Sequence, residues 1–124
     1  DLNNLKHIND TYGHRFGDEA IKNTARIMHE NFMEIGQCYR IGGDEFCVII
    51  NNTSLDIINR CLKTFHQAVN DIAATTDYPY SVATGYGAID ESGIDNCFKA
   101  VDSIMYKNKI KSKKSRDNQT LSDG

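Results

Sequence analysis

Tyr39-Arg40-Ile41-Gly42-Gly43-Asp44-Glu45-Phe46-Cys47-Val48-Ile49-Ile50 is two apolar runs joined by a tight, acidic, glycine-rich turn, the pattern of a β-hairpin. Gly-Gly at the tip is expected to supply the positive φ angles that primed hairpin turns require, and the apolar flanks anchor the turn in a buried sheet. Lacking a Cβ, glycine also lets a bulky anion approach the backbone. The two carboxylates that follow can hold a divalent cation against that anion. The stretch therefore points to phosphate bound together with Mg²⁺. Its plainer alternative is an exposed hairpin whose acids only keep an edge soluble.

The rest of the chain bounds these readings. Its 124 residues, 40% hydrophobic and 25% charged, suffice for one core and have ordinary globular composition. No apolar run approaches the ~20 residues of a membrane span, and no signal-peptide pattern opens the chain. It begins inside a motif, at Asp1-Leu2-Asn3, and is expected to be a piece of a longer protein whose sensor or anchor lies outside it. Cys38, Cys47, Cys61 and Cys97 form no C-x-x-C pair and sit in apolar runs, as buried reduced thiols of a cytoplasmic domain would. The net charge of −3 hides an asymmetry: from Lys107 onward six Lys or Arg accompany two Asp, against eight basic and fifteen acidic residues before it. No aromatic residues interleave with those lysines, so the tail reads as a solvated helix end rather than a nucleic-acid surface.

Asp1-Leu2-Asn3-Asn4-Leu5-Lys6-His7-Ile8-Asn9-Asp10-Thr11-Tyr12-Gly13-His14-Arg15-Phe16-Gly17-Asp18 is polar and glycine-rich, yet places Leu2, Leu5, Ile8 and Tyr12 at helical spacing. It reads as a strand end at Asp1, a short helix over Leu5 to Thr11, and a glycine-bounded loop to Asp18. This run resembles the D-x-D-x-F-K-x-I-N-D-x-x-G-H-x-x-G-D segment of the GGDEF-domain diguanylate cyclases, and Gly42-Gly43-Asp44-Glu45-Phe46 resembles their signature. Asp1, Lys6, Ile8, Asn9, Asp10, Gly13, His14, Gly17 and Asp18 match, whereas Asn3 stands for an Asp and Leu5 for a Phe.

Elsewhere the pattern is scaffold. Ile21, Ala25, Met28 and Phe32 mark one face of a helix from Phe16 to Asn31, with Gly36 after it as a stop. Ile58, Leu62, Phe65, Val69 and Ile72 line another helix, capped by Ser54 or Asp56. After Pro79, Tyr80, Val82, Thr84 and Tyr86 alternate with Ser81, Ala83, Gly85 and Gly87 as in a strand. A capping box, Ser92 with Asp95, opens a helix to Lys109 with Cys97, Val101, Ile104 and Met105 inward. Val101 to Lys109 resembles the family's A-D-x-A-L-Y-x-A-K. The order predicts one α+β domain with an antiparallel central sheet flanked by helices, the cyclase and polymerase palm (ferredoxin-like) arrangement. In that fold the strand ending at Asp1 lies inside the sheet, so the resemblance implies that the N-terminal strand is missing.

The resemblance also implies a chemistry: condensation of two GTP into cyclic di-GMP with Mg²⁺ or Mn²⁺. It assigns Asp1, Asp44 and the Leu2 carbonyl to the metal, with Glu45 assisting the metal or the attacking hydroxyl. Gly42 and Gly43 admit the phosphates, Lys6 and Lys109 supply cations, and the backbone of Asn4 and Leu5 donates at the short helix's start. Asn9 and Asp18 read guanine. His14 is expected to be structural, as Asn9 and Asp18 would be if they served only as loop hydrogen bonds or caps. Arg40 can serve the turn or a phosphate, and Lys113 or Arg116 can stand for a family arginine without a clean match. Met33-Glu34-Ile35-Gly36 occupies the place of the family's inhibitory R-x-x-D, so feedback through that site is expected to be absent. Activity is expected to need a homodimer, with an upstream sensor or membrane domain in the parent protein and no membrane contact by this segment. The competing functions are a catalytically silent GTP-binding module that regulates or dimerises, and a palm-like fold using another nucleotide.

Overall fold

A computed structural model of the chain describes residues 1–51, 53–89, 93, 95–97 and 99–106. It divides into two compact units, Asp1–Val82 and Ala83–Gly124. The fold class is α+β, with helices and an antiparallel two-stranded sheet in the first unit.

Helices α1 (Leu5–Tyr12) and α2 (His14–Phe32) are separated by Gly13 alone. At φ 105°, which favours glycine, Gly13 donates its N–H to the carbonyls of Ile8 and Asn9 at 3.1 Å each. Its own carbonyl accepts from Phe16 at 3.1 Å and Gly17 at 3.3 Å. One residue thus closes one helix and opens the next, and the loop expected up to Asp18 is instead the first turn of α2. The buried stripe of α2 also departs from expectation. It runs through Gly17, Ala20, Thr24, Ile27, Met28 and Phe32, while Ala25 is exposed. Polar Thr24 concealed this face. Its hydroxyl donates to the Ala20 carbonyl at 2.8 Å and shares a 2.7 Å hydrogen bond with the Tyr80 hydroxyl.

Strands β1 (Gly36–Arg40) and β2 (Phe46–Ile50) pair antiparallel in register from Gly36↔Ile50 to Arg40↔Phe46. Cys38, Phe46, Val48 and Ile50 pack against the core, and α2 contacts β1. Gly36 serves pairing rather than helix termination, because a Cβ there would stand 2.4 Å from the Ile49 carbonyl oxygen. At the tip, neither Gly42 nor Gly43 has a positive φ. A five-residue connection, Ile41 to Glu45, spreads the reversal and removes the need for a primed turn; it is closed by the Ile41 N–H donating to the Glu45 carbonyl at 2.9 Å.

Helix α3 (Leu55–Ala73) is capped as expected, Ser54 Oγ accepting from the Ile57 N–H at 3.3 Å. It buries Phe65 and Val69, and the Phe65 ring lies 6.0 Å from that of Phe32 on α2. Tyr78 and Tyr80 complete the core beside Phe16. Of the strand expected over Tyr80 to Gly87, one bridge, Leu2↔Val82, is formed among the described residues. Its partner segment is short: Asn4, at φ 62°, swings the chain into α1 directly after Asn3. All four cysteines are free thiols and half-buried. Burial, with Cys47 nearby, pushes the Cys38 thiol above its ordinary pKa.

In the second unit, residues 95–97 and 99–106 are helical. Gly85 and Gly87 lie against this helix, where a Cβ on Gly85 would meet the Val101 carbonyl oxygen at 3.1 Å. Cys97, Val101 and Met105 are half-buried there, but Ile104 is 42% exposed. Ser92, Lys109, Lys113 and Arg116 fall outside the described residues.

Replacing Thr24 by Val keeps its volume but strands the buried Tyr80 hydroxyl. Urea unfolding should show a loss of about 1–3 kcal/mol; an unchanged midpoint would remove this hydrogen bond from the fold's support.

Candidate functional site

The elements at the hairpin tip and at the chain's start are joined through the backbone. Leu2, fully buried, donates its N–H to the Asp44 carbonyl at 2.8 Å, and the next N–H, of Asn3, goes to the Ser81 carbonyl at 2.9 Å. Asp1 and Asp44 therefore lie on segments in direct contact. An extended residue sends its N–H and C=O to the same edge, so the Leu2 carbonyl also faces the tip. Side chains alternate, so with Leu2 in the core, Asp1 and Asn3 fall on the opposite face. Asn3 is held by its Nδ2 donating to Ser81 Oγ at 3.1 Å, and its Oδ1 is buried without a hydrogen-bond partner among the described residues.

This donor set suits a small hard cation. Among the described residues no three His, Cys, Asp or Glu side chains gather into a cage. Mg²⁺ needs none, since it is commonly held by one or two carboxylates with the remaining positions filled by water and substrate phosphate. Two carboxylates and a carbonyl fit that habit.

The tip is open. No described atom lies within 4 Å of the Cβ position on Gly43, and only Glu45 approaches that of Gly42, its Oε2 at 3.9 Å. With neither a positive φ nor internal crowding to require glycine there, the remaining physical use is close approach from outside. Arg40 ties the loop down. Its Nε donates to the Gly42 carbonyl at 3.1 Å and its Nη2 to the Gly43 carbonyl at 2.9 Å. Of the two roles left open for Arg40, this geometry shows the turn. Its signal in the sequence was its place as the last residue of the strand leading into Gly-Gly. Glu45 is exposed, and its carbonyl closes the loop.

Helix α1 presents its N-terminus without a side-chain cap: Asn4 sits in the left-handed region that Asn tolerates and makes no capping hydrogen bond. First-turn amides at Leu5 and beyond are left to other acceptors. Lys6 is exposed in the same turn. The Asn9 side chain lies over Gly17, where a Cβ would stand 1.7 Å from its Oδ1. This brings Asn9 next to Asp18, which is exposed on α2 beside an open depression of about 650 Å³ also lined by Arg15, Glu19, Lys22 and Asn23. Gly17 as the floor under Asn9 was missed in the sequence, where it read as a loop residue. His14 is exposed at the start of α2.

Gly17→Ala should consequently displace Asn9 while leaving α2 helical. Circular dichroism is expected to be unchanged and guanine-nucleotide binding weakened; unaltered binding in calorimetry would show that the Asn9 amide is not used.

The sequence model described as "Diguanylate cyclase, GGDEF domain" matches residues 1–115. The chain is 31% identical over 109 residues to the probable diguanylate cyclase DgcJ of Escherichia coli, covering 88% of this chain and 22% of that protein. It is 31% identical over 110 residues to the diguanylate cyclase DgcM of the same organism, with 88% and 27% covered. To the diguanylate cyclase DgcS of Shewanella oneidensis it is 29% identical over 110 residues, with 88% and 37% covered. The chain spans about a quarter of the length of the first two.

Proposed function

Because the chain belongs to the GGDEF family of diguanylate cyclases, we propose that it condenses two GTP into cyclic di-GMP and two pyrophosphate. The observation that carries this reading is the contact between Leu2 and the Asp44 carbonyl, which joins both motif segments at one open, glycine-lined tip. A silent GTP-binding module is not favoured, since the relatives named above are themselves called cyclases.

In this reading Asp1, Asp44 and the Leu2 carbonyl hold Mg²⁺ or Mn²⁺. The ion, when bound, neutralises charge building on the phosphate and pyrophosphate oxygens. The chain's own groups do the remaining work. Gly42 and Gly43 admit the triphosphate to the backbone, and the uncapped start of α1, at Asn4 and Leu5, gives it amide donors. Lys6 adds a cation there, with Lys109 as a second. Asn9 and Asp18 together offer a donor and acceptors for guanine's Watson–Crick edge. Glu45 would accept the proton of the attacking 3′-hydroxyl or support the metal.

Each chain would carry one GTP, and each 3′-hydroxyl must reach the other's α-phosphate. A twofold pair of chains satisfies this, matching the product's symmetry. The parent protein would supply the sensor and the means of pairing, with this domain in the cytoplasm beside its GTP. Among the described residues no helix is long and apolar enough to cross a membrane.

Incubation of the full-length protein with GTP and Mg²⁺, followed by product analysis, tests the function: cyclic di-GMP is expected, and none at any protein concentration would sink it. In the same assay Asp44→Ala should abolish turnover while the fold survives, because the side chain leaves a loop and not the core. Full activity in that variant would take Asp44 out of the mechanism.

A further inference from the structure

We propose that Arg40 is a positioning residue that turns the Gly43 and Asp44 amides outward as a paired donor site for a phosphate oxygen of the bound GTP. The inference rests on the cyclase reading above and adds to it a residue and two backbone groups. It begins from two hydrogen bonds: one guanidinium holds the carbonyls of Gly42 at 3.1 Å and Gly43 at 2.9 Å. Nε and a terminal nitrogen form one edge of a rigid planar fork, so the two carbonyls are drawn to the same side of the loop.

Peptide planarity then fixes what lies opposite. In a trans peptide the N–H points away from the C=O of the same unit, and the chain contains no cis peptide among its described residues. The Gly42 carbonyl shares its unit with the Gly43 N–H, and the Gly43 carbonyl shares its unit with the Asp44 N–H. Both N–H groups are therefore directed away from Arg40. Neither makes a hydrogen bond among the described residues, and the space over Gly43 is open to 4 Å. Successive amides aimed to one side form a concave anion site, and the guanidinium behind the carbonyls sharpens the peptide dipoles. The following unit is fixed as well, since the Asp44 carbonyl accepts from Leu2. Asp44 is thus held on both sides through its backbone, leaving its side chain to the metal.

The alternative is an exposed arginine that merely solvates the end of β1. Kinetics of the full-length protein separate the two. Arg40→Ala should lower kcat by about 10²-fold, the usual cost of losing a preorganised oxyanion donor, while KM for GTP changes by less than about threefold. Arg40→Lys keeps the charge but loses the rigid two-nitrogen fork, and should recover part of kcat. Independently, the Gly43 and Asp44 amide resonances should shift when a non-hydrolysable GTP analogue and Mg²⁺ are added, and shift far less in Arg40→Ala. Wild-type kcat in Arg40→Ala would overturn the proposal, as would a raised KM at unchanged kcat, which would mean a direct contact with bound substrate. Amides that ignore the analogue in the unaltered protein would also overturn it. If Arg40→Ala fails to fold, Arg40→Lys decides, with reduced kcat at unchanged KM expected and wild-type kcat overturning. A protein that makes no cyclic di-GMP while its amides still respond to the analogue would refute the cyclase reading and leave the positioning role standing.

Discussion

One backbone hydrogen bond, from the Leu2 N–H to the Asp44 carbonyl at 2.8 Å, joins the hairpin tip to the segment that carries Asp1. Its strength is ordinary, about 1 kcal/mol net. Its leverage comes from what surrounds it. Leu2 is fully buried, so the segment carrying Asp1 cannot slide along the hairpin without dragging an apolar side chain into water, a cost of roughly 1.5–3 kcal/mol. The next rung, Asn3 to Ser81, fixes the other edge. A three-residue segment is thus clamped between the tip loop and the 81–82 stretch, and the chemistry-bearing groups hang from it.

That clamp gathers acids. Asp1, Asp44 and Glu45 sit on adjoining backbone, joined by the Leu2–Asp44 hydrogen bond. In the proposed reading a cation held there would offset the charge of a triphosphate, so that each would favour the other's binding. Two of the five N–H donors of Arg40 go to the Gly42 and Gly43 carbonyls. These bonds stiffen the loop that the acids share.

Much of this was legible in the sequence where a residue type had one physical use. Periodicity placed α3 with its Ser54 cap, glycine ended α1 near Gly13, and two apolar runs joined by a glycine turn gave the hairpin. Reading failed where a residue had two uses. Gly42 and Gly43 were expected to serve a left-handed turn, but the longer connection needs none, leaving only close approach. Gly13 and Gly17 together suggested a loop, yet one joins two helices and the other sits buried in α2 beneath Asn9. Thr24 was absent from the expected apolar face, yet it is buried there, its hydroxyl satisfied inside the helix and by Tyr80. The 80–86 alternation is real, but among the described residues the one bridge assigned there is Leu2↔Val82. Of the candidate site, the motifs gave the residues; the carbonyl clamp by Arg40 depends on a loop conformation that spacing does not encode.

Gly36 shows how such a backbone commitment limits what the site can become. It stands at one end of the place where the resembled family carries an inhibitory R-x-x-D, with Met33 at the other end. Met33 is 56% exposed after the last turn of α2, so an arginine there would be accommodated in solvent. Position 36 is different: any side chain begins with a Cβ 2.4 Å from the Ile49 carbonyl oxygen, and that oxygen belongs to backbone in the ladder and cannot rotate aside. An aspartate at 36 would have to open the Gly36↔Ile50 end of the hairpin, whose partly buried Ile50 packs on the core. The close strand crossing and a carboxylate at this corner are therefore mutually exclusive.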